Sequence, residues 1–107
     1  GSYTGNGSAD GPFVFCGFRP RYILIKQTSV AGNSWVIFDT AINPENDGAQ
    51  TNLWANNSNA ENANDYGFDI LSNGFKIRAT SSNLNGSTNV YIFAAFAENP
   101  FKNALAR

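Results

Sequence analysis

The apolar residues of this chain recur with the spacing of β-strands, and hardly any stretch has a helical period. Segments rich in Val, Ile, Phe and Tyr return at short intervals, each bounded by Gly, Asn, Pro or Ser. The pattern predicts strands near 12–18 (PFVFCGF), 21–27 (RYILIKQ), 34–40 (SWVIFDT), 51–55 (TNLWA), 66–72 (YGFDILS), 75–80 (FKIRAT) and 88–97 (TNVYIFAAFA). About seven short strands with turn signals between them predict an all-β fold. The expected architecture is an antiparallel β-sandwich, jelly-roll-like, with closure into a barrel the alternative, over one domain spanning 1–107. The one helical signal is a short turn at the C-terminus, in NPFKNALAR (99–107).

One hairpin is specified in detail. Asn73-Gly74 suits a two-residue type I′ turn, in which both positions need positive φ. Counting outward pairs Leu71 with Lys76, Ile70 with Ile77 and Asp69 with Arg78. Opposed residues share a face, so Phe68, Ile70, Phe75 and Ile77 gather on one side and Asp69, Lys76 and Arg78 on the other. A slip of one residue would mix the faces. VYIFAAF and YILI are apolar on both faces, as central strands covered on both sides would be. Asn85-Gly86 is expected to turn the chain into the last strand, and NPENDG (43–48) reads as a loop.

Composition adds mostly exclusions. With 42% hydrophobic and 14% aromatic residues, the chain has too much apolar surface to stay disordered. Charged residues are 14% and the net charge is −1, which offers no electrostatic footprint for nucleic acid or an anionic membrane. Surface contacts must run through Asn, Ser, Thr and Gly instead. The chain has no His, which excludes His-based catalytic arrangements and His-ligated metals. Cys16 is alone among aromatics and reads as an inert buried thiol. No apolar run approaches the ~20 residues of a membrane-spanning helix. Gly1-Ser2 reads as a cloning scar on a domain cut from a longer protein.

Candidate chemistry is sparse. No carboxylate pair stands out among Asp10, Asp39, Glu45, Asp47, Glu61, Asp65, Asp69 and Glu98, and no catalytic residue is assigned. Asp39, closing the apolar run WVIFD, is expected to cap the turn that follows it. Asp47, Asp65 and nearby amides have the chemistry of a Ca²⁺ site without its sequence pattern, so no metal and no cofactor is assigned. Gly5-Asn6-Gly7 is a turn lacking the Lys and helix of a phosphate loop. Matches to the glycosylation pattern at Asn6, Asn56 and Asn85 carry no weight in so Asn-rich a chain.

Aromatics beside amides remain. Sugars are held by stacking on Trp or Tyr and by hydrogen bonds from amides. Trp54 with Asn52, Asn56, Asn57 and Tyr66 has that chemistry and forms the candidate ligand set. In the opposing reading Trp54 packs into the core from a short strand near an edge, while NNSNAENAND (56–65) turns and meets solvent. The inward orientation is the expected one, and Trp35 is expected in the core or at its rim.

The motifs also occur in a recognisable order: YTGNG (3–7), GFRPRYILIK (17–26), WVIFDTA (35–41), LWANNSNAEN (53–62), FDILSNGFKIR (68–78) and NVYIFAAFAENPF (89–101). In that order and spacing the chain resembles a domain that recurs in tail-fibre and other virion-associated proteins of tailed bacteriophages. The resemblance implies a non-catalytic all-β module on the virion surface, attaching to a host cell-surface glycan or protein. It also implies other virion subunits as partners, with a homotrimer expected from the fibre setting, and no catalytic or binding residue to transfer. A structural or decoration module without a host ligand is the first alternative, and a depolymerase-associated carbohydrate-active domain the second.

Overall fold

A computed structural model describes residues 1–97 except 47 and 49, the side chains of 64 and 65 aside. It contains β1 (Ser2–Thr4), β2 (Phe13–Phe15), β3 (Pro20–Gln27), β4 (Val36–Asp39), β5 (Gln50–Trp54), β6 (Asn62–Tyr66), β7 (Phe68–Leu71) and β8 (Gly74–Ile77). A single helical turn, α1 (Ser82–Asn85), and β9 (Val90–Ala97) follow. The strands pair antiparallel into two sheets, one of six strands in the order β1-β9-β3-β4-β5-β6 and one of three, β2-β8-β7. The fold is an all-β sandwich. The helix expected in 99–107 lies outside the described residues.

Side-chain alternation builds the core. Ile23 and Ile25 of β3, Val36 and Phe38 of β4 and Tyr91 of β9 face inward from the large sheet. Phe68, Ile70, Phe75, Ile77 and Val14 meet them from the small one. Aromatic rings join the layers: Phe38 stacks on Phe68 at 4.1 Å between centroids, Phe68 on Phe75 at 5.1 Å, and Phe75 meets Phe93 edge-on at 5.2 Å. Each fully buried Phe is worth roughly 1.5–3 kcal/mol of hydrophobic stabilisation, so this row of rings is a main tie between the sheets.

The β7–β8 hairpin forms with the expected faces but a different turn. Asp69 opposes Lys76, Ile70 opposes Phe75, and Leu71 opposes Gly74. The two turn residues are therefore Ser72 and Asn73, and neither has positive φ. Gly74 is instead the first residue of β8, lying against β2. The diagonal Asp69–Arg78 ion pair forms nonetheless. The turn expected at Asn85-Gly86 is also displaced: Asn85 closes α1, Gly86 is extended, and the left-handed residue is Thr88, at φ 63°.

Three polar ties position the loops. Asn85 is fully buried. Its Nδ2 donates to Asn6 Oδ1 (3.0 Å), Ser8 O (2.7 Å) and Ala79 O (3.0 Å), and its Oδ1 accepts from Asn6 N at 2.8 Å. The YTGNG segment is thus structural, and its Gly5 lies so near Gly86 that a Cβ would come within 2.3 Å of the Gly86 carbonyl oxygen. Two stacked tyrosines, Tyr3 and Tyr91, hold α1 down through hydroxyls that donate to Leu84 O (2.8 Å) and Ser82 O (2.6 Å). The third tie closes a sheet edge. Asn46 accepts from Ile70 N at 2.9 Å and donates to Ile70 O at 2.8 Å, so its amide mimics one residue of a neighbouring strand. Unpaired strand edges invite foreign strands, and Asn46 blunts this one.

One expectation is corrected. β3 and β9 are interior strands of the large sheet, yet among the described residues only one of their faces is covered. The other carries Val90, Ile92 and Phe96, all exposed.

Candidate functional site

Alternation along β5 turns Gln50, Asn52 and Trp54 to the inner face. Asn52 lies opposite Phe38 and is fully buried, and among the described residues neither atom of its amide has a hydrogen-bond partner. Trp54 lies opposite Val36 and packs, half-buried, against the core. Tyr66 is buried too: its ring meets Phe38 edge-on, and its hydroxyl accepts from Asn83 Nδ2 at 2.5 Å. The candidate set therefore divides. Asn52, Trp54 and Tyr66 belong to the interior, where the ring faces expected to stack a ligand are spent on packing. Asn56 and Asn57 are exposed.

What gathers around those two asparagines is a different tryptophan. Trp35 stands one residue before the inward-facing Val36, which puts it on the opposite face of the sheet. Its side chain is 38% exposed. The loop after β5 is fastened to its backbone twice: Trp35 N donates to Asn56 Oδ1 at 3.1 Å, and Ala55 N donates to Trp35 O at 3.1 Å. Asn57 Oδ1 accepts from Asn59 N at 3.0 Å, an Asx turn that shapes the loop tip. Both amide oxygens are used internally. Both amide nitrogens are left as donors toward solvent, since no bond from either occurs among the described residues. An exposed tryptophan tied through its backbone to Asn56, on a loop that also carries Asn57, offers a ring that can stack on a pyranose and amides that can donate to its hydroxyls. Sequence reasoning placed Trp35 at the core or rim and did not join it to Asn56. The available signal was its parity against Val36.

The acids do not assemble. Asp10 pairs with Lys76 at 2.8 Å, and hydrogen bonding from that ammonium holds its carboxyl below the usual carboxylate range. Asp69 pairs with Arg78, and Asp39 lies 3.8 Å from Arg21. Asp39 also accepts from Ala41 N at 2.7 Å, the turn cap expected of it. No group of three or more His, Cys, Asp or Glu residues comes together among the described residues. The Ca²⁺ candidates Asp47 and the Asp65 side chain lie outside them. An open cleft of about 550 Å³ lies elsewhere, lined by Phe15, Cys16, Phe18 and Phe93. Its lining is mixed, with Gly1 beside the rings, and partial burial pushes the Cys16 thiol up, leaving little thiolate at neutral pH.

A family model matches residues 1–100, nearly the whole chain, and its description is "Domain of unknown function (DUF7483)". The chain belongs to this DUF7483 family. Neither the curated proteins nor the solved structures contain a match. Family membership therefore covers the fold and the Trp35 corner alike, and the chemistry of that corner has to be argued from its residues.

Proposed function

We propose that this chain is a non-catalytic recognition module on the surface of a tailed-phage particle, in a tail fibre or related protein. It attaches to a host cell-surface glycan or protein through Trp35, Asn56 and Asn57. The observation that carries the reading is the corner itself: an exposed indole hydrogen-bonded through its backbone to Asn56, on a loop exposed from Ala55 to Glu61. Order matters here, because a donor already held in place loses little entropy on binding. The low charge of the chain supports recognition by hydrogen bonds and stacking rather than by general electrostatic adhesion. The order of sequence motifs supports the phage setting, with host receptor and other virion subunits as partners.

The experiment is attachment of a multimerised, fluorescent domain to a panel of bacterial cells and to a bacterial-glycan array. Attachment that falls about tenfold in Trp35→Ala, the equivalent of about 1.4 kcal/mol, and also falls in Asn57→Ala supports the reading. Attachment unchanged in both variants removes the corner as the site. No attachment to any cell or glycan favours the decoration module, for which the exposed apolar face of the large sheet is the structural argument.

A further inference from the structure

β9 is apolar on both sides, and among the described residues nothing covers one of them. Val90, Ile92 and Phe96 face outward with exposures of 40, 42 and 61%. Ala94 lies between the last two. Leu24 of β3 opposes Ala94, Ile37 of β4 opposes Leu24, and Leu53 of β5 opposes Ile37, so the register continues the apolar surface across four strands. Scattered apolar residues on a surface are ordinary, whereas a contiguous patch of a few hundred Å² is often functional. With strands about 4.8 Å apart and residues about 3.3 Å apart, this patch covers roughly 400 Å².

We propose that this face binds a second copy of the chain, with β9 against the partner's β9 across a two-fold axis near Ala94. Three features of the face fit a copy of itself. A dyad at Ala94 sets Phe96 of each protomer over the partner's Ile92, because the two lie equally far from Ala94 along the strand. The small Ala94 side chains meet at the axis, where bulk would hold the sheets apart. On β3 and β4 the face carries Lys26 at one end and Asp39 at the other, and the same dyad turns each toward its opposite on the other copy. Self-complementarity of this kind is what an isologous contact requires. Two such faces remove about 800 Å² from water, which is the range of weak, concentration-dependent pairing rather than of an obligate dimer. The inference goes beyond the attachment reading: the contact centres on β9, and Trp35, beside β4 two strands away, stands at the margin of the same outer face.

Sedimentation of the domain from micromolar to millimolar concentration tests it, beside Ile92→Lys and Phe96→Ser. Both side chains are exposed, and thermal melts confirm that each variant folds. The expected result is a monomer–dimer equilibrium for the parent chain and a monomer throughout for both variants. A cysteine introduced as Ala94→Cys, with Cys16→Ser, is expected to give a disulfide-linked dimer under mild oxidation, while Thr51→Cys in the same background does not. A parent chain that stays monomeric at millimolar concentration, a trimer in place of the dimer, or a dimer that survives Ile92→Lys would overturn the contact. Loss of cell attachment in Trp35→Ala with sedimentation unchanged leaves the two proposals separately decided.

Discussion

A Cβ placed on Gly74 would lie 2.0 Å from the carbonyl oxygen of Val14, on the neighbouring strand β2. The atom in the way is backbone and cannot swing aside. Gly74→Ala must therefore push β2 from β8 or bend the hairpin, at a cost of about 3 kcal/mol. Urea unfolding measures it. A change near zero would mean that the strands do not approach this closely.

The two buried asparagines should respond in opposite ways. Asn85 makes four hydrogen bonds to the first loop and to Ala79, and Asn85→Leu is expected to cost about 3 kcal/mol or more, since it strands several buried polar groups at once. Among the described residues Asn52 has no partner for either amide atom. Replacing it with an apolar residue of similar size removes a buried polar group without breaking a bond, so Asn52→Leu is expected to be neutral or stabilising by about 1 kcal/mol. Equilibrium unfolding of both variants checks the contrast.

Asn46 guards a strand edge through the backbone of Ile70. In Asn46→Ala the Ile70 amide should exchange with solvent markedly faster, while amides inside β3 and β9 keep their rates. Hydrogen exchange followed by NMR resolves these positions. Equal protection of Ile70 in both proteins would show that the side chain does not close the edge.

Burial, and after it the neighbouring Tyr91, pushes the Tyr3 hydroxyl far above the ordinary phenol value of about 10. A folded-state value raised in this way means that the native protein holds its proton more tightly than the unfolded chain. Its contribution is fully present below about pH 10, the unfolded value, and is lost as pH rises beyond it. Stability is expected to fall with increasing pH above that point. Tyr3→Phe should flatten the fall while lowering the neutral-pH plateau by about 1 kcal/mol, because the bond to Leu84 O goes. Denaturation across an alkaline pH series reads both effects.

These residues also show what the sequence made legible. The faces of the β7–β8 hairpin were readable because side chains alternate with period two, and the observed pairing differs from the counted one by two residues, which leaves every residue on its face. The turn was not readable. Asn73-Gly74 matches a common turn dipeptide, but Gly74 answers a close approach from β2, a contact distant in sequence. β6 is composed of NANDY and offers no apolar alternation, so its sequence has the signature of a loop. β1 has three residues and is held by the packing of Tyr3.

The candidate site was legible by half. Trp54 on a short strand is expected to turn inward, and it does. Nothing in composition says that Asn52 is interior, because burying an unpartnered amide runs against the usual cost of desolvation. Trp35 and Asn56 are 21 residues apart and meet through a backbone hydrogen bond, which no local pattern encodes.

The central claim is that ligand is read at the Trp35 corner. The most direct test is an NMR titration of the ¹⁵N-labelled domain with surface polysaccharide extracted from cells to which it attaches. The indole Nε1–H of Trp35 and the side-chain amides of Asn56 and Asn57 are expected to shift first and furthest, with the core amides unmoved. Shifts confined to the Phe15–Phe93 cleft or to β9, with the Trp35 indole silent, would contradict the account.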